Sequence, residues 1–554
     1  MKQFIYILMV LFFPVSSIWS QTSVPNYIIT TIPTSPVTDP TALVDNGSSQ
    51  NSNSTIQYFD GLGRPTETVQ KGITPTGKDL VALTEYDGVG REYLHWLPVA
   101  NAGSGAYVDA ATFKTNAGSF YSTVANDSYP YTTTEYEASP LNRVTGQYGA
   151  GAAWNNPTSP KKVKTEYGTN AASEVAYFHV DGSSQLVRGA DGYAASTLYK
   201  TTVTDEDGKT TAEYKDKQGR VVMVRRGADV DTYWVYNDLG QLAYVLPPLA
   251  ADNMTATTPF ADTDPYLKKY GYLYKYDGRG NCIEKRLPGC EPIHMLYDQA
   301  DRLVLSQDGN QRLKTQWTVT KCDVLGRVLY TGVLNRDITQ EERDLVAGGV
   351  IVETAVTGNS FQNIGYTAAT FNTDFAPLSV NYYDDYGFMS VLPQDKQQAL
   401  GYQAKDGYSK AYPEAATDAV GLNAKGLLTG TRTYILDGSG NYTSTAMYYD
   451  DKSRVVQTRS TNHMSGYDKV YNQYNFAGQV TKSLTEHSSY AKSLVTELYT
   501  HDYDQAGRLL KTRYKFNNNP EIALSDMTAA GSYDELGRLA ARKRHGGADT
   551  ESFA

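Results

Sequence analysis

The sequence predicts an all-β fold in which antiparallel β-hairpins repeat and form a long curled sheet or a partial hollow shell, with few short helices. Three observations predict it: 45 Tyr among 554 residues against 15 Phe and 5 Trp, a content of 47 Gly, and a turn motif that recurs along the chain. Tyrosine is favoured on half-exposed pleated surfaces, where its ring packs and its hydroxyl stays hydrated. Glycine supplies the left-handed backbone positions of tight turns.

The turn motif reads aromatic, Asp, any, any, Gly, Arg. Thirteen copies occur, of which 11 begin with Asp and 11 carry Gly at the fourth turn position. The Asp and Asn residues that begin these turns are Asp60, Asp87, Asp216, Asn237, Asp277, Asp298, Asp323, Asp384, Asp437, Asp450, Asn475, Asp504 and Asp534.

Each copy predicts one β-hairpin. The Asp side chain bonds to backbone amides ahead of it, two permissive residues make a type I turn, and Gly closes the turn as a bulge in the left-handed region. The aromatic residue ends one strand and the Arg opens the next. Where Gly is replaced, Asp301 is tolerated in that region and Ser453 less well. A structural turn role is predicted for Asp60, Gly63, Arg64, Asp87, Gly90, Arg91, Asp323, Gly326, Arg327, Asp504, Gly507, Arg508, Asp534, Gly537 and Arg538.

Residues 1–20 predict a signal peptide. Lys2 supplies the positive charge, and residues 4–13 form an apolar run that is too short to cross a bilayer of roughly 30 Å. Cleavage is expected after Ser20, with Ser17 as the alternative. We therefore expect an exported protein without a membrane span after cleavage, extracellular or at the cell surface, with the periplasm as an alternative.

The remaining chain divides into five predicted regions. Within the fourth, Thr339-x-x-Glu342 is a helix capping box and Gly348-Gly349 a stop, so one short helix is expected there. The regions are an extended linker at 21–55, an N-terminal region with first and degenerate repeats at 56–200, a repeat block at 201–330, an insertion at 331–380 and a second repeat block at 381–554.

Charge and cysteine content exclude two classes of protein. The net charge of −10 argues against a nucleic-acid binder, which needs a basic surface to displace counterions. Three cysteines are an odd number, so a full disulfide framework is excluded. Cys282 and Cys290 are close enough in sequence to bridge, but three unpaired thiols are the favoured interpretation.

No constellation of catalytic residues is present in the sequence. The seven histidines are scattered without a His-x-x-x-His pair, and neither a Gly-x-Ser-x-Gly elbow nor a phosphate loop occurs. Two oxygen-rich stretches beginning at Asp205 and Asp437 have spacing suited to Ca²⁺, but neither continues to the Glu that ends such a loop, so hairpin turns are favoured. We expect a non-enzyme without metal or cofactor.

A tyrosine stripe is the one candidate ligand-binding surface. Tyr270, Tyr272, Tyr274 and Tyr276 recur at period two and predict one face of a strand on which sugar rings could stack. Cross-strand aromatic packing inside the sheet is the favoured alternative.

The repeated motif, in a chain with a predicted signal peptide, resembles the YD-repeat or RHS-repeat proteins over roughly residues 56–545. The opening at residues 56–98, which contains Phe59-Asp60-Gly-Leu-Gly-Arg64, is similar to the N-terminal region of unknown function of exported bacterial members. Residues 284–292, with the sequence Glu-Lys-Arg-Leu-Pro-Gly-Cys-Glu-Pro, are similar to the same subgroup.

The resemblance implies a β-sheet strip that spirals into a hollow shell. In complete members a C-terminal core closes the shell, cleaves itself with aspartates and precedes a variable, often toxic, domain. The Asp-Pro-x-Gly-Leu phrase of that core is missing, because Asp39-Pro40 and Asp264-Pro265 stand in other contexts. Self-cleavage and toxicity are therefore not carried over.

Three functional hypotheses follow from the sequence. The first is a non-catalytic exported scaffold or shell that acts in surface interaction. The second is a cell-surface carbohydrate-binding or adhesion module that uses the tyrosine stripe. The third is one part of a toxin-encapsulating or delivery system, whose partner is a separately encoded RHS core or toxin domain.

Overall fold

The computed structural model describes residues 25–45, 50–155, 161–356, 360–416, 418–419, 421–544 and 549–553. The predicted signal peptide at 1–20 lies outside the described residues.

Thirty-one strands of the described chain form one long antiparallel sheet that is not closed into a barrel, which confirms the predicted fold class. Each strand pairs with the strand before and after it. Two exceptions are β6, which pairs with β4 beside β5, and the separate hairpin β10–β11. The strands of the first half are β1 Asn26–Pro33, β2 Ser52–Phe59, β3 Pro65–Gln70, β4 Asp79–Tyr86, β5 Glu92–Trp96, β6 Val99–Asn101, β7 Tyr131–Tyr136, β8 Val144–Tyr148, β9 Lys162–Thr169, β10 Phe178–Val180, β11 Leu186–Arg188, β12 Tyr199–Thr204, β13 Thr210–Lys215, β14 Val221–Arg226, β15 Val230–Tyr236 and β16 Leu242–Leu246. Those of the second half are β17 Tyr272–Tyr276, β18 Cys282–Arg286, β19 Ile293–Tyr297, β20 Leu303–Gln307, β21 Trp317–Cys322, β22 Val328–Leu334, β23 Phe375–Asp384, β24 Ala424–Tyr434, β25 Tyr442–Tyr449, β26 Val455–Thr461, β27 Tyr467–Tyr474, β28 Val480–His487, β29 Val495–Tyr503, β30 Leu509–Phe516, β31 Ile522–Asp526, β32 Ala541–Arg544 and β33 Asp549–Ser552.

Connections between successive antiparallel strands alternate between the two edges of the sheet. We call the edge that carries the turns 60–64 and 87–91 the motif edge, and the edge that carries the connection 71–78 the far edge. The other motif turns that join paired strands, for example 216–220 and 504–508, lie on the motif edge as well.

The longer connections carry short helices. Their starts follow sequence signals: Asp109 caps α1, and Thr339 with Glu342 forms the predicted capping box at the start of α6. The helices of the described chain are α1 Ala110–Val124, α2 Ala152–Asn155, α3 Pro248–Asn253, α4 Pro265–Tyr270, α5 Gly309–Leu313, α6 Gln340–Gly348 and α7 Gln394–Leu400.

Three apolar clusters form where these connections pack on the sheet. The N-terminal cluster joins β2, β3 and β4 to α1 through Val69, Val81 and Phe113. The second cluster joins β13–β17 to α3 and α4, and the third and largest joins β20–β26 to the connections at 335–374 and 385–423. A sheet that covers one face with its own connections needs no second sheet to bury its apolar side chains.

Buried cations hold several of these connections on the sheet. Arg286, Arg432 and Arg459 are at most 5% exposed, and each donates to a backbone carbonyl of a connection, those of Asp262, Asn363 and Ala399 respectively. Lys321 on β21 donates to Glu353 at 2.7 Å, and both side chains are buried.

Several sequence predictions differ from the structure. Residues 26–33 of the predicted linker form β1, because the β-branched residues Ile and Thr suit an extended strand. The copy at Asp384 is not a hairpin turn, since 385–423 separates its strands. The copy at Asp437 lies on the far edge, in a longer connection between β24 and β25.

Two further predictions concern Tyr270 and the cysteines. Tyr270 ends α4 and does not belong to the strand, because Asp264 caps the helix and Pro265 occupies its first turn. The three cysteines, Cys282, Cys290 and Cys322, are unpaired. Cys290 is exposed, whereas Cys322 is buried.

Candidate functional site

The turn at Asp60 has the geometry that the motif predicts. Oδ1 of Asp60 accepts from the backbone amides of Leu62 at 2.8 Å and Arg64 at 2.9 Å, and Oδ2 accepts from Nε of Arg64 at 2.7 Å. Gly63 has a φ of +77°, and the register between β2 and β3 shifts at Tyr58 and Phe59. The side chain thus caps the turn and holds the arginine that opens the next strand.

The other predicted turn positions lie in the same arrangement. Nε of Arg91, Arg327, Arg508 and Arg538 donates to the Asp that begins the same turn, at 2.6–2.7 Å. Asp301 and Ser453, which replace Gly, have φ values of +56° and +61°, the left-handed region expected of them.

Hydrogen bonds lower the pKa values of two of these carboxyl groups, those of Asp60 and Asp87. The backbone amide of Arg64 holds the pKa of Asp60 below its ordinary value, and the amide of Arg91 does the same for Asp87. These carboxylates are ionised at neutral pH and occupied by donors from their own turns. They are therefore structural anions and not free acids or bases.

A second contact joins consecutive hairpins, and we call it the repeat lock. A tyrosine donates its hydroxyl hydrogen to the backbone carbonyl of the residue that follows the Arg or Gln at the start of the second strand of the preceding hairpin. The distances run from 2.6 to 3.2 Å. The nine donor and acceptor pairs are Tyr86 and Pro65, Tyr136 and Glu92, Tyr167 and Val144, Tyr236 and Val221, Tyr276 and Leu242, Tyr383 and Val328, Tyr474 and Val455, Tyr503 and Val480, and Tyr533 and Leu509.

In seven of the nine pairs the preceding arginine also lies over the tyrosine ring. The guanidinium carbon is 4.4–5.8 Å from the ring centroid, which is cation–π distance. In the pairs of Tyr276 and Tyr503 the preceding motif residue is Gln241 or Gln479. The arginines over rings are Arg64, Arg91, Arg143, Arg220, Arg327, Arg454 and Arg508.

The turn explains why the motif needs Asp and Gly, but the lock explains why it needs Tyr and Arg. The arginine binds its own aspartate through Nε, and its guanidinium carbon lies over the ring of the next tyrosine. Sequence reasoning assigned the arginine only to strand opening. The signal that would have revealed the lock is the recurrence of Tyr and Arg at opposite ends of strands that become neighbours.

The end of the sheet strip contacts its beginning, and we call this contact the seam. Arg508, in the turn between β29 and β30, donates to the carbonyl of Ile73 at 2.6 Å. Asn53 on β2 donates to the carbonyl of Gln505 at 3.2 Å. Each contact joins residues more than 430 positions apart in sequence.

Glu535 supplies further contacts across the seam. Its Oε2 accepts from Oγ1 of Thr76 at 3.0 Å and lies 3.3 Å from Nζ of Lys78. Leu536, the next residue, packs against the N-terminal cluster. The seam therefore combines backbone-directed hydrogen bonds, an ion pair and an apolar contact.

The seam joins opposite edges of the strip. Ile73, Thr76 and Lys78 belong to the far edge between β3 and β4, whereas Arg508 and Glu535 lie in motif turns. When one edge at the end of a strip contacts the opposite edge at its beginning, the strip has shifted sideways by its own width during one turn. The described sheet is thus one revolution of a spiral and not a closed barrel.

A cavity of about 720 Å³ lies at the seam. Pro75, Phe120 and Val124 line it from the first strands and α1, and Leu510 and Met527 line it from the last repeats. Burial raises the pKa of Tyr121, on the same helix, to about 12.

The predicted tyrosine stripe does not form one surface. Tyr270 packs against the second cluster from α4, and the hydroxyl of Tyr276 is bound to Leu242 as part of the repeat lock. Tyr272, Tyr274 and Tyr276 lie on β17 and are half-buried. Three of the four predicted ligand-binding residues therefore share one strand, and Tyr270 does not belong to it.

The stretch at Asp205 forms a hairpin turn on the far edge. Its Oδ1 accepts from the amides of Asp207 at 3.0 Å and Lys209 at 2.8 Å, and Gly208 is left-handed. Among the described residues, no group of three His, Cys, Asp or Glu side chains is arranged to hold a metal ion. In that same part of the chain, no helix combines the length and apolar character that crossing a membrane requires.

Chains in several solved structures are similar to this chain over most of its length. A crystal structure of TcdB2-TccC3-TEV aligns with 97% of this chain and 24% of its own, at 13% identity and a TM-score of 0.44. A crystal structure of TcdB2-TccC3 aligns with 96% of this chain and 23% of its own, at 13% identity and a TM-score of 0.44. A Photorhabdus luminescens Tc holotoxin pore aligns at 12% identity and a TM-score of 0.40, over 91% of this chain and 22% of its own. This chain thus spans about a quarter of the length of these relatives.

No curated protein sequence matches this chain significantly. Residues 29–169 match a family model described as a domain of unknown function, DUF6443. The match runs from within β1 to the end of β9, includes the N-terminal side of the seam, and overlaps the predicted N-terminal region at 56–200.

Proposed function

We propose that this chain is a non-catalytic exported scaffold of the RHS or YD-repeat type, one wall segment of a shell that encloses or delivers a toxin or acts at the cell surface. The observation that carries the proposal is the seam. A wall must return to its beginning, and the contacts of Arg508 and Glu535 bring the last repeats onto the first strands.

The length of the strip supports an enclosing role. The pairing from β3 to β29, without β6, β10 and β11, passes through 24 strands. At about 4.8 Å per strand the path is roughly 110 Å long, and one revolution of it has a diameter of about 35 Å. Such a ring is wider than a sheet barrel that fills its interior with side chains.

The use of the ionisable side chains supports a role without catalysis. Asp60, Asp87 and Asp323 are each bound by the arginine and by backbone amides of their own turn. The tyrosine hydroxyls of the repeat lock are bound to carbonyls. A catalytic acid, base or nucleophile needs a free group beside a substrate, whereas these groups are used to stiffen a wall.

Protease protection of the partner tests the enclosing role. The chain is co-expressed with the polypeptide encoded immediately downstream, where the proposal expects an RHS core or toxin domain. We expect the partner to resist added protease beside the unchanged chain and to be digested beside an Arg508→Ala, Glu535→Ala chain. Arg220→Ala is the control, because this motif arginine contacts Asp216 and Tyr236, which do not belong to the seam. Equal digestion with all three chains would contradict enclosure.

Carbohydrate binding is the alternative for this chain, and a glycan array separates it from scaffolding. The scaffold proposal expects no specific hits. A specific hit that the Tyr272→Ala, Tyr274→Ala double variant abolishes would contradict a purely structural role.

Export is tested by the mature N-terminus. The proposal expects mass spectrometry of the extracellular or surface fraction to find Gln21 or Ile18 as the first residue. Retention in the cytoplasm of a chain that still begins at Met1 would contradict it.

A further inference from the structure

The first strand of the sheet presents an apolar edge. Tyr27, Ile28, Ile29 and Ile32 on β1 are 54, 59, 51 and 63% exposed. β1 pairs with β2 on one side, and within the described part of the chain no strand pairs with its other side. The outward backbone amides and carbonyls of β1 therefore form a template for another strand.

Both faces of this edge are apolar. Tyr27 and Ile29 pair with Tyr58 and Ile56, so they extend the buried row of the N-terminal cluster into solvent. Ile28 and Ile32 lie on the opposite face, on either side of Thr30. A strand with an apolar residue on each face gains on both faces when a neighbour covers it.

The edge lacks the features that usually keep strands apart. Residues 25–38 contain no charged side chain, and Pro33 stands only at the end of β1. Exposed edges are normally protected by Lys, by central Pro, by bulges or by short length. β1 has eight residues in unbroken register with β2.

Charge selects the partner strand. The opposite end of the described sheet carries Arg542, Arg544 and Glu551 on β32 and β33, joined in ion pairs. Pairing that end with β1 would lay an apolar strand against charged side chains. A second β1 is neutral and apolar, so it is the complementary partner.

We propose that two copies of this chain associate through β1, which pairs antiparallel with β1 of the second copy across a twofold axis at Thr30. The axis preserves the faces of the sheet. On one face it therefore places Ile28 of each copy opposite Ile32 of the other copy. On the other face each Ile29 lies opposite Thr31. The pairing extends the sheet from one spiral into the other.

Sedimentation equilibrium of the full chain tests the association. We expect a concentration-dependent mass between monomer and dimer, and a monomer for Ile28→Lys, Ile32→Lys at the same concentrations. The double variant Leu239→Lys, Val324→Lys is the matched control, since these turn residues are 78 and 80% exposed and belong to hairpins distant from β1 along the sheet. It should associate like the unchanged chain.

A cross-link tests the register independently of the lysine variant. In a chain with Cys290→Ser, Thr30→Cys should form an intermolecular disulfide, because the axis brings the two positions to directly opposed sites within disulfide reach. Leu239→Cys in the same background is the control. A monomer at all concentrations, a dimer that persists in the lysine variant, assembly beyond a dimer, or equal cross-linking at Thr30 and Leu239 would each overturn the proposal.

Discussion

Single residues of the motif each serve two neighbours. The aspartate caps its own turn and neutralises its own arginine, and that arginine then lies over the tyrosine of the next hairpin. The tyrosine ring receives the guanidinium while its hydroxyl binds the carbonyl behind it. Each repeat is thereby tied to the next by groups that also fold it.

Removing one hydroxyl tests the repeat lock. Tyr474→Phe keeps the ring under Arg454 and removes the bond to the carbonyl of Val455, so we expect the free energy of unfolding to fall by about 1 kcal/mol. Tyr297→Phe is the control, because its hydroxyl contacts only the sulfur of Met295, at 3.6 Å. If Tyr474→Phe and Tyr297→Phe lower the free energy of urea unfolding equally, the hydrogen bond to the carbonyl of Val455 contributes nothing specific.

Glu67 is a buried carboxyl group with a pH-dependent cost. It is 1% exposed, one oxygen accepts from the amide of Val108 at 3.1 Å, and burial raises its pKa to about 7. Since the folded pKa exceeds the unfolded value, ionisation favours the unfolded state. The cost is absent below about pH 4, grows as the pH rises, and is complete above about pH 7.

Glu67→Gln should therefore stabilise the chain at pH 8 by up to about 3 kcal/mol and have little effect at pH 4. Glu137→Gln is a control for which we expect a change in stability of the opposite sign at pH 8, because the hydrogen bond from the side chain of Arg143 lowers the pKa of Glu137 to about 2. Thermal unfolding at both pH values measures the difference. A stabilisation of Glu67→Gln that does not change with pH would contradict the assignment.

At the scale of elements, the strip is a regular meander on which irregular connections are fastened by buried cations. Lys321 and Glu353 show this most clearly, because β21 supplies the lysine and the connection that carries α6 supplies the carboxylate. Glu353 also accepts from Thr367, so one ion pair orders a long insertion. Its desolvation is compensated only while both partners are present.

Breaking that pair should be costly, and removing it whole should not. Lys321→Met leaves Glu353 buried and unpaired, so we expect a loss of about 3–5 kcal/mol, most of which Lys321→Met, Glu353→Leu recovers. Lys162→Met, which removes a half-exposed pair with Glu135, should cost about 1 kcal/mol or less. Hydrogen exchange of α6 reports the local effect. If Lys321→Met, Glu353→Leu is as unstable as Lys321→Met alone, the loss of stability does not come from the unpaired Glu353 carboxylate.

The sequence was informative for elements whose signals are local. The turns at Asp60 and Asp504 and the helix at Thr339 follow from neighbouring residues, so the motif and the capping box predicted them. The motif does not reveal that the turn at Asp437 lies on the far edge, because the edge depends on how many strands precede the turn. Tyr270 was assigned to a strand because its period-two spacing masked the helix start at Asp264.

At the scale of the whole molecule, sequence patterns did not reveal the seam. Arg508 and Ile73 are 435 positions apart, and their contact depends on the summed twist of more than twenty strands. No local pattern encodes such a sum. The repeat lock shares this property in part, since it needs the register between hairpins. The fold class was therefore predictable from the sequence, whereas the contact between the end of the strip and its beginning was not.

The spiral that returns to its beginning is the central claim, and a distance measurement across the seam tests it most directly. Spin labels at Gln70→Cys and Gln505→Cys, with Cys282 and Cys290 replaced by Ser, leave the backbone contacts of the seam in place. Pulsed electron–electron double resonance should give a narrow distance distribution below about 30 Å, against roughly 110 Å along a straightened strip. A distribution without this short distance would contradict a spiral whose end contacts its beginning.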